Sequence, residues 1–114
     1  MAKMNKGTAK YTYVEHEDDI KFNAPHHFIV KRLDGTELVK VDFQCGPIKE
    51  CGVNGCANED LINMCILRLE GFQRSEFNCH ENQMALDHLQ EAIFWLRKHT
   101  DDREQRGVEG THTV

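Results

Sequence analysis

Apolar positions along the chain change period near residue 58. Before that point they alternate in short runs, as strands do. Asp-Ile-Lys-Phe-Asn (19–23) sets Ile20 and Phe22 on one side of a predicted strand. His-Phe-Ile-Val-Lys-Arg-Leu begins at His27, Asp34-Gly35 follows, and Thr-Glu-Leu-Val-Lys-Val-Asp-Phe-Gln runs to Gln44. Asp-Gly between two such runs is a strong hairpin signal. In the second run Leu38 takes one face, and Val39, Val41 and Phe43 take the other. Gly46 to Gly52 has the length of one more short strand, with Gly46-Pro47 and Gly52 to Gly55 as turn punctuation. Met1 to Lys10 is small and polar and is expected to be a flexible arm.

From Asn58 the spacing becomes helical. Asn58 is a suitable cap, and Glu59 and Asp60 suit the positive end of the helix. Leu61, Cys65, Leu69 and Phe72 form one stripe, which Ile62, Met64, Ile66 and Leu67 widen beyond an ordinary amphipathic face. So wide a stripe needs cover on more than one side, and in a small chain a second copy is a natural source. Gly71 and the polar stretch after Gln73 predict a break. Asn78-Cys79-His80-Glu81 has the form of a capping box with Asn as the cap. A second helix is predicted from about Cys79 to Gln105, roughly 40 Å long at about 1.5 Å per residue. Ala85, Leu89, Ala92, Ile93 and Leu96 make its main stripe. Met84, Phe94 and Trp95 lie off it and suit a subunit contact. A short connection makes the two helices an antiparallel hairpin. The elements sum to an α+β fold, an N-terminal antiparallel sheet followed by that hairpin. After the arm (1–10), residues 11–114 read as one domain: a sheet part (11–52), the helical hairpin (58–106) and a tail (107–114).

Composition narrows the function classes. The 114 residues carry a formal net charge of −5, which argues against a general binder of DNA or RNA, whose affinity comes from phosphate neutralisation. One small anion held by a local basic cluster remains open. The chain has 5 cysteines, an odd number with no Cys-x-x-Cys. No secretory leader or membrane-length apolar run is evident, so reduced thiols in a cytosol are expected. The spacing of Cys45, Cys51 and Cys56 does not match a structural zinc site.

Catalytic motifs are lacking. Cys79 and His80 point about 100° apart on a helix, a poor nucleophile–base pair. His88 and Glu91 share a face, but such pairs are commonplace on solvated helices. Neither a P-loop nor a zinc-protease His-Glu-x-x-His is present. The end of the second helix says more. His99, Arg103 and Arg106 share one edge at i, i+4, i+7. Gly107 is placed to stop the helix, and Gly110 permits a further backbone feature that side chains would obstruct. Between them Val108 suits contact with a base, and Glu109 suits an amine or ribose hydroxyl donor. The plain alternative is cations complementing a helix C-terminus. Phe72 ends the first helix and Asn82 lies in the first turn of the second, so the hairpin brings them near each other. A phenyl ring and a carboxamide suit the face and edge of one purine. The plain alternative is a core phenylalanine and a surface asparagine.

Several longer segments carry a resemblance: Gly-Pro-Ile-Lys-Glu-Cys-Gly-Val-Asn-Gly (46–55), Asn-Glu-Asp-Leu (58–61), Arg-Leu-Glu-Gly-Phe-Gln (68–73), Cys-His-Glu-Asn-Gln-Met-Ala-Leu (79–86), Glu-Ala-Ile-Phe-Trp-Leu-Arg-Lys-His-Thr (91–100) and Asp-Arg-Glu-Gln-Arg-Gly-Val-Glu-Gly-Thr-His (102–112). Together they closely resemble the Thoeris anti-defence protein one family of bacteriophages. The helical hairpin is similar to that of the phage anti-CBASS cyclic-nucleotide sponge family. The resemblance implies a sponge in the cytoplasm of the infected bacterial cell. Such proteins hold the cyclic ADP-ribose isomers made by bacterial TIR-domain proteins and do not cleave them. It also implies self-association to dimers or to hexamers built from dimers and, in some members, a separate site for cyclic di- or trinucleotides. Neither a cofactor nor a metal is implied, nor polymeric nucleic acid or a membrane as partner. By position, Phe72 resembles the base-stacking aromatic and Asn82 its polar partner. Arg103 and Arg106 resemble phosphate-facing cations, and Gly107, Val108, Glu109, Gly110 and Thr111 a ligand-lining tail. A second, cyclic-oligonucleotide site would involve His99 and Arg103. Relatives usually carry arginine where this chain has His99. Histidine is mostly neutral at pH 7 and cannot fork onto phosphate, so that site is expected to be weaker or pH-dependent here. Two other classes compete with a sponge: a hydrolase of the signal, and a protein-interaction module that inhibits a host defence protein.

Overall fold

The computed structural model describes residues 2–3 and 10–105, with side chains from 10 to 102. Four strands, β1 (Ala2–Lys3), β2 (Thr12–His16), β3 (His27–Arg32) and β4 (Glu37–Asp42), precede three helices, α1 (Ile48–Cys51), α2 (Asn58–Gln73) and α3 (His80–Gln105). The fold is α+β, as expected. The stretch read as one domain divides into two compact units, residues 1–56 and 57–114. No helix among the described residues is long and apolar enough to cross a membrane.

In the first unit the strands pair antiparallel in the order β1-β2-β3-β4. Within the expected arm, Ala2 and Lys3 pair with His16 and Glu15, and residues 1 and 4–9 lie outside the described residues. The Asp34-Gly35 hairpin forms as expected. Arg32 N–H donates to the Thr36 carbonyl (2.8 Å), Gly35 adopts φ 94°, and Asp34 Oδ1 accepts the Thr36 N–H (3.0 Å). The ring of Phe28 meets Phe43 edge-on at 5.6 Å and His16 at 6.1 Å, which gives the sheet its aromatic face.

Polar ties from distant residues shape the rest of this unit and account for two corrections. First, residues 19–23 form a tight turn and not a strand. Lys21 and Ala24 bridge across it, with Phe22 at φ 56° and Asn23 at φ 64°. Asparagine tolerates that left-handed backbone, whereas phenylalanine adopts it at a cost. The surroundings impose it: Glu17 Oε2 accepts the N–H groups of His26 (3.1 Å) and His27 (3.0 Å), and His26 Nε2 donates to the Lys21 carbonyl (2.7 Å). The strand preceding this turn is β2, paired along its length with β3. Second, the segment after Gly46-Pro47 is the one-turn helix α1 and not a strand. Gln44 and Asn54 clamp its loop. The Gln44 amide donates to the Gly52 carbonyl (2.7 Å) and accepts the Asn54 N–H (3.0 Å), while the Asn54 side chain bonds both the N–H and the carbonyl of Cys45 (2.8 Å each). Cys56 then lies parallel to Phe43, its N–H donating to the Asp42 carbonyl (2.8 Å). Gly55 is needed there, because a Cβ would run into the Phe43 backbone.

The second unit is the expected hairpin of two helices. Its caps differ from expectation. Ala57 holds the cap position of α2, and its N–H donates to Asp60 Oδ2 (2.8 Å), which leaves Asn58 as the first helical residue. At α3 the Cys79 sulfur accepts the Asn82 N–H (3.4 Å), and the Asn78 amide turns back to the Ser75 carbonyl (2.8 Å). α2 continues through Gly71 and ends at Gln73, where the expected polar stretch begins. The inner seam of α3 is Asn82, Leu86, Leu89, Ile93, Leu96 and Thr100, at alternating steps of four and three. Leu86, only 6% exposed, is its most buried member, and Ala85 lies outside the seam. On α2 the inward residues are Leu61, Ile62, Ile66, Leu69, Phe72 and Gln73, whereas Cys65 is exposed. The excess apolar surface foreseen on α2 is real: Met64 is 64% and Leu67 68% exposed. Phe94 and Trp95 are likewise exposed on α3, packed edge to face at 5.2 Å.

Candidate functional site

The connection between α2 and α3 is short and tied by hydrogen bonds. Gln73, the last residue of α2, reaches across it. Its carbonyl oxygen accepts the Cys79 N–H (3.0 Å), and its amide donates to the Cys79 carbonyl (3.0 Å) and to Gln83 Oε1 (3.3 Å). Ser75 Oγ donates to the Phe72 carbonyl (2.7 Å) and accepts the Phe77 N–H (3.1 Å). These ties satisfy groups that the helix ends leave open and hold the junction in one geometry.

Phe72 and Asn82 both stand at this end of the hairpin. Phe72 is half-buried at the close of the α2 seam, and Asn82 is half-buried as the first member of the α3 seam. The two residues singled out by sequence therefore sit on inner seams that converge at the junction. The Asn82 carboxamide makes no hydrogen bond among the described residues, which leaves two donors and an acceptor for a ligand. A neighbour that sequence reading did not single out is Arg68, one helical turn before Phe72. Its guanidinium carbon lies 5.0 Å from the centre of the Phe72 ring. The i, i+4 spacing permits the contact but does not distinguish this arginine from any solvated one.

His99, named for a second site, is exposed on α3. One turn from it, Phe94, Arg97, Lys98, Asp101 and Asp102 line a shallow hollow of about 470 Å³. Lys98 is partly neutralised there by Asp102 at 3.7 Å. Arg103 lies within α3 but its side chain is outside the described residues, as are Arg106 and Gly107, Val108, Glu109, Gly110 and Thr111. Another hollow, of about 230 Å³, belongs to the sheet unit and is lined by Glu17, Asp19, Lys21, His26, His27 and Cys45. Burial pushes the Glu17 carboxyl up, but the N–H groups of His26 and His27 and the nearby His27 ring outweigh it and hold the group below its usual range. This carboxylate is occupied in holding the β2–β3 loop.

Comparisons with known proteins identify the family. The family described as the Acb2/Tad1 hairpin domain matches residues 36–101, a span that contains β4, α1, α2 and most of α3. The chain is also 48% identical over 130 residues to Thoeris anti-defense 1 of Bacillus phage SBSphiJ7, covering 90% of this chain and 91% of that protein. This chain belongs to the Acb2/Tad1 family. The Acb2/Tad1 match takes in both Phe72 and Asn82 together with the junction that holds them. It stops short of Arg103, Arg106 and the tail.

Proposed function

We propose that this chain is a phage anti-Thoeris protein that binds cyclic ADP-ribose-type signals and sequesters them without cleavage. The observation that carries this reading is the junction: a half-buried aromatic ring and an unengaged carboxamide at the converging ends of two helices, in a member of the Acb2/Tad1 family. The relative's name, Thoeris anti-defense 1, supports the biological setting. On this reading the Phe72 ring stacks on adenine and Asn82 reads its edge. Arg103 and Arg106 meet the phosphates, and Gly107 to Thr111 close over the ligand. Sequestration requires affinity and abundance and no bond-breaking group. A nanomolar dissociation constant corresponds to about −12 kcal/mol, within reach of charge-assisted hydrogen bonds and base stacking in a preformed slot. The protein works in the cytoplasm of the infected cell, where the signal is made.

Self-association belongs to the same proposal. Met64, Leu67, Phe94 and Trp95 are exposed apolar side chains on the two long helices, and a second copy would cover them. Dimers, or hexamers built from dimers, are the expected assemblies. A cyclic di- or trinucleotide site at His99 and Arg103 would be weaker than one with arginine at both positions, because an imidazole cannot fork onto phosphate.

Incubation of the protein with a cyclic ADP-ribose isomer, removal of free ligand, heat denaturation and chromatography of the released material provide the test. Intact ligand recovered in proportion to protein supports sequestration. Recovery of a linear product identifies a hydrolase. No retained ligand and no thermal shift from any cyclic nucleotide would point to a protein-interaction inhibitor.

A further inference from the structure

We propose that Arg68 is the second wall of the base slot: its guanidinium withdraws from the Phe72 ring and adenine enters between the two planes. This rests on the function proposed above and adds to it a residue that determines which nucleobase is held. The Arg68 guanidinium lies 5.0 Å from the ring centre, too close for a base to fit between. Two stacked layers at the roughly 3.4 Å rise of nucleic acid bases need about 7 Å between the outer planes. Arg68 must therefore move by about 2 Å, and little opposes it. The residue is exposed and makes no ion pair among the described residues, so its contact with Phe72 is the tie to be exchanged. Gly71, between the two residues in sequence, leaves the helix surface open, with nothing within 4 Å of a would-be Cβ. The backbone that carries the Phe72 ring is tied in place, its carbonyl to Ser75 and its neighbour Gln73 to α3.

The exchange is chemically balanced. Before binding, the guanidinium lies over the half-buried Phe72 ring. After binding, one cation–π contact is replaced by two stacking contacts, ring on base and guanidinium on base, and the guanidinium N–H edge is free to meet a phosphate. A purine fills the widened slot more completely than a pyrimidine, so the pair favours adenine-containing signals.

Calorimetric titration of the full chain with cyclic ADP-ribose isomers tests the proposal. Arg68→Ala is expected to weaken binding at least tenfold, with helical content and assembly mass unchanged. Arg68→Lys is expected to remain several-fold weak, because an ammonium carries the charge but not the plane. In a Phe72→Leu background, removal of Arg68 should cost much less than in wild type, since the two walls act together. The adenine absorbance change on binding should also shrink in Arg68→Ala. Wild-type affinity in Arg68→Ala, with binding lost in Phe72→Ala, would overturn the role of Arg68 and leave the base-stacking ring in place. Absence of binding by the wild-type chain would remove both.

Discussion

The two units of this chain are built on different principles. The sheet unit is held by specific polar ties between residues far apart in sequence. The carboxylate of Glu17 gathers the N–H groups of His26 and His27, and the Gln44 and Asn54 side chains lock the loop around α1. The helical unit is held by a repeating apolar seam, Leu86, Leu89, Ile93 and Leu96 against α2, and among the described residues its most connected polar cluster lies at the helix junction. Where the sheet unit uses polar groups to define a fold, the helical unit also leaves some unspent, the Asn82 carboxamide and the Arg68 guanidinium. Unspent polar groups beside an aromatic ring are what a ligand slot needs.

The largest effect should come from cutting the seam. Leu86→Ala is expected to destabilise the helical unit by about 2–4 kcal/mol, because a buried leucine loses both transfer energy and packing. Denaturant unfolding followed by helical circular dichroism measures it, and a loss below about 1 kcal/mol would show that the seam is not the main support. Gln44→Ala tests the other principle. It leaves the Asn54 N–H and two carbonyls without their partner and is expected to cost about 1–2 kcal/mol, confined to the sheet unit. Hydrogen exchange should then accelerate at Asn54 and Cys45 and remain unchanged along α3.

A smaller effect follows from Glu17. Its carboxyl titrates below its ordinary value of 4.5 in the folded protein. A depressed folded pKa contributes stability that is present above the unfolded value and lost as pH falls through the folded one. Acidification below about pH 4.5 should therefore loosen the β2–β3 loop, visible as faster amide exchange at His26 and His27. Glu17→Gln should remove that acid step and show fast exchange there already at neutral pH. The smallest expected change in fold stability is at Met64 and Leu67. Replacing both with lysine should shift monomer stability by no more than about 0.5 kcal/mol, because neither side chain is buried within the chain. It should nonetheless lower the assembly mass measured by light scattering if a second copy covers them.

The same contrast explains how much was legible in the sequence. The helical hairpin could be read because its apolar period repeats over many residues, and the β3–β4 hairpin because Asp34-Gly35 encodes its turn locally. Residues 19–23 were misread as a strand because Phe22 opposes its own backbone conformation, and the imposing group, Glu17, acts from outside the pattern. α1 was misread because one helical turn set by Pro47 and clamped by Gln44 has no periodicity to detect. Both helix caps moved by one residue, since Asp60 and the Cys79 thiol serve where asparagines were expected. At the candidate site, the placement of Phe72 and Asn82 at the two helix ends was legible, and their part in binding belongs to the proposal. Arg68 was not, because an arginine stacked on a ring four residues away has the same spacing as one in water. The arginines and glycines after Gln105 rest on resemblance and lie outside the described residues.

Equilibrium binding of a cyclic ADP-ribose isomer to the wild-type chain and to Phe72→Ala, with the released ligand analysed, tests the central claim most directly. The account predicts tight binding by wild type, return of the ligand unaltered, and loss of at least a hundredfold in affinity for Phe72→Ala with the assembly intact. Equal binding by the two proteins, or a released ligand that has been opened, would contradict it.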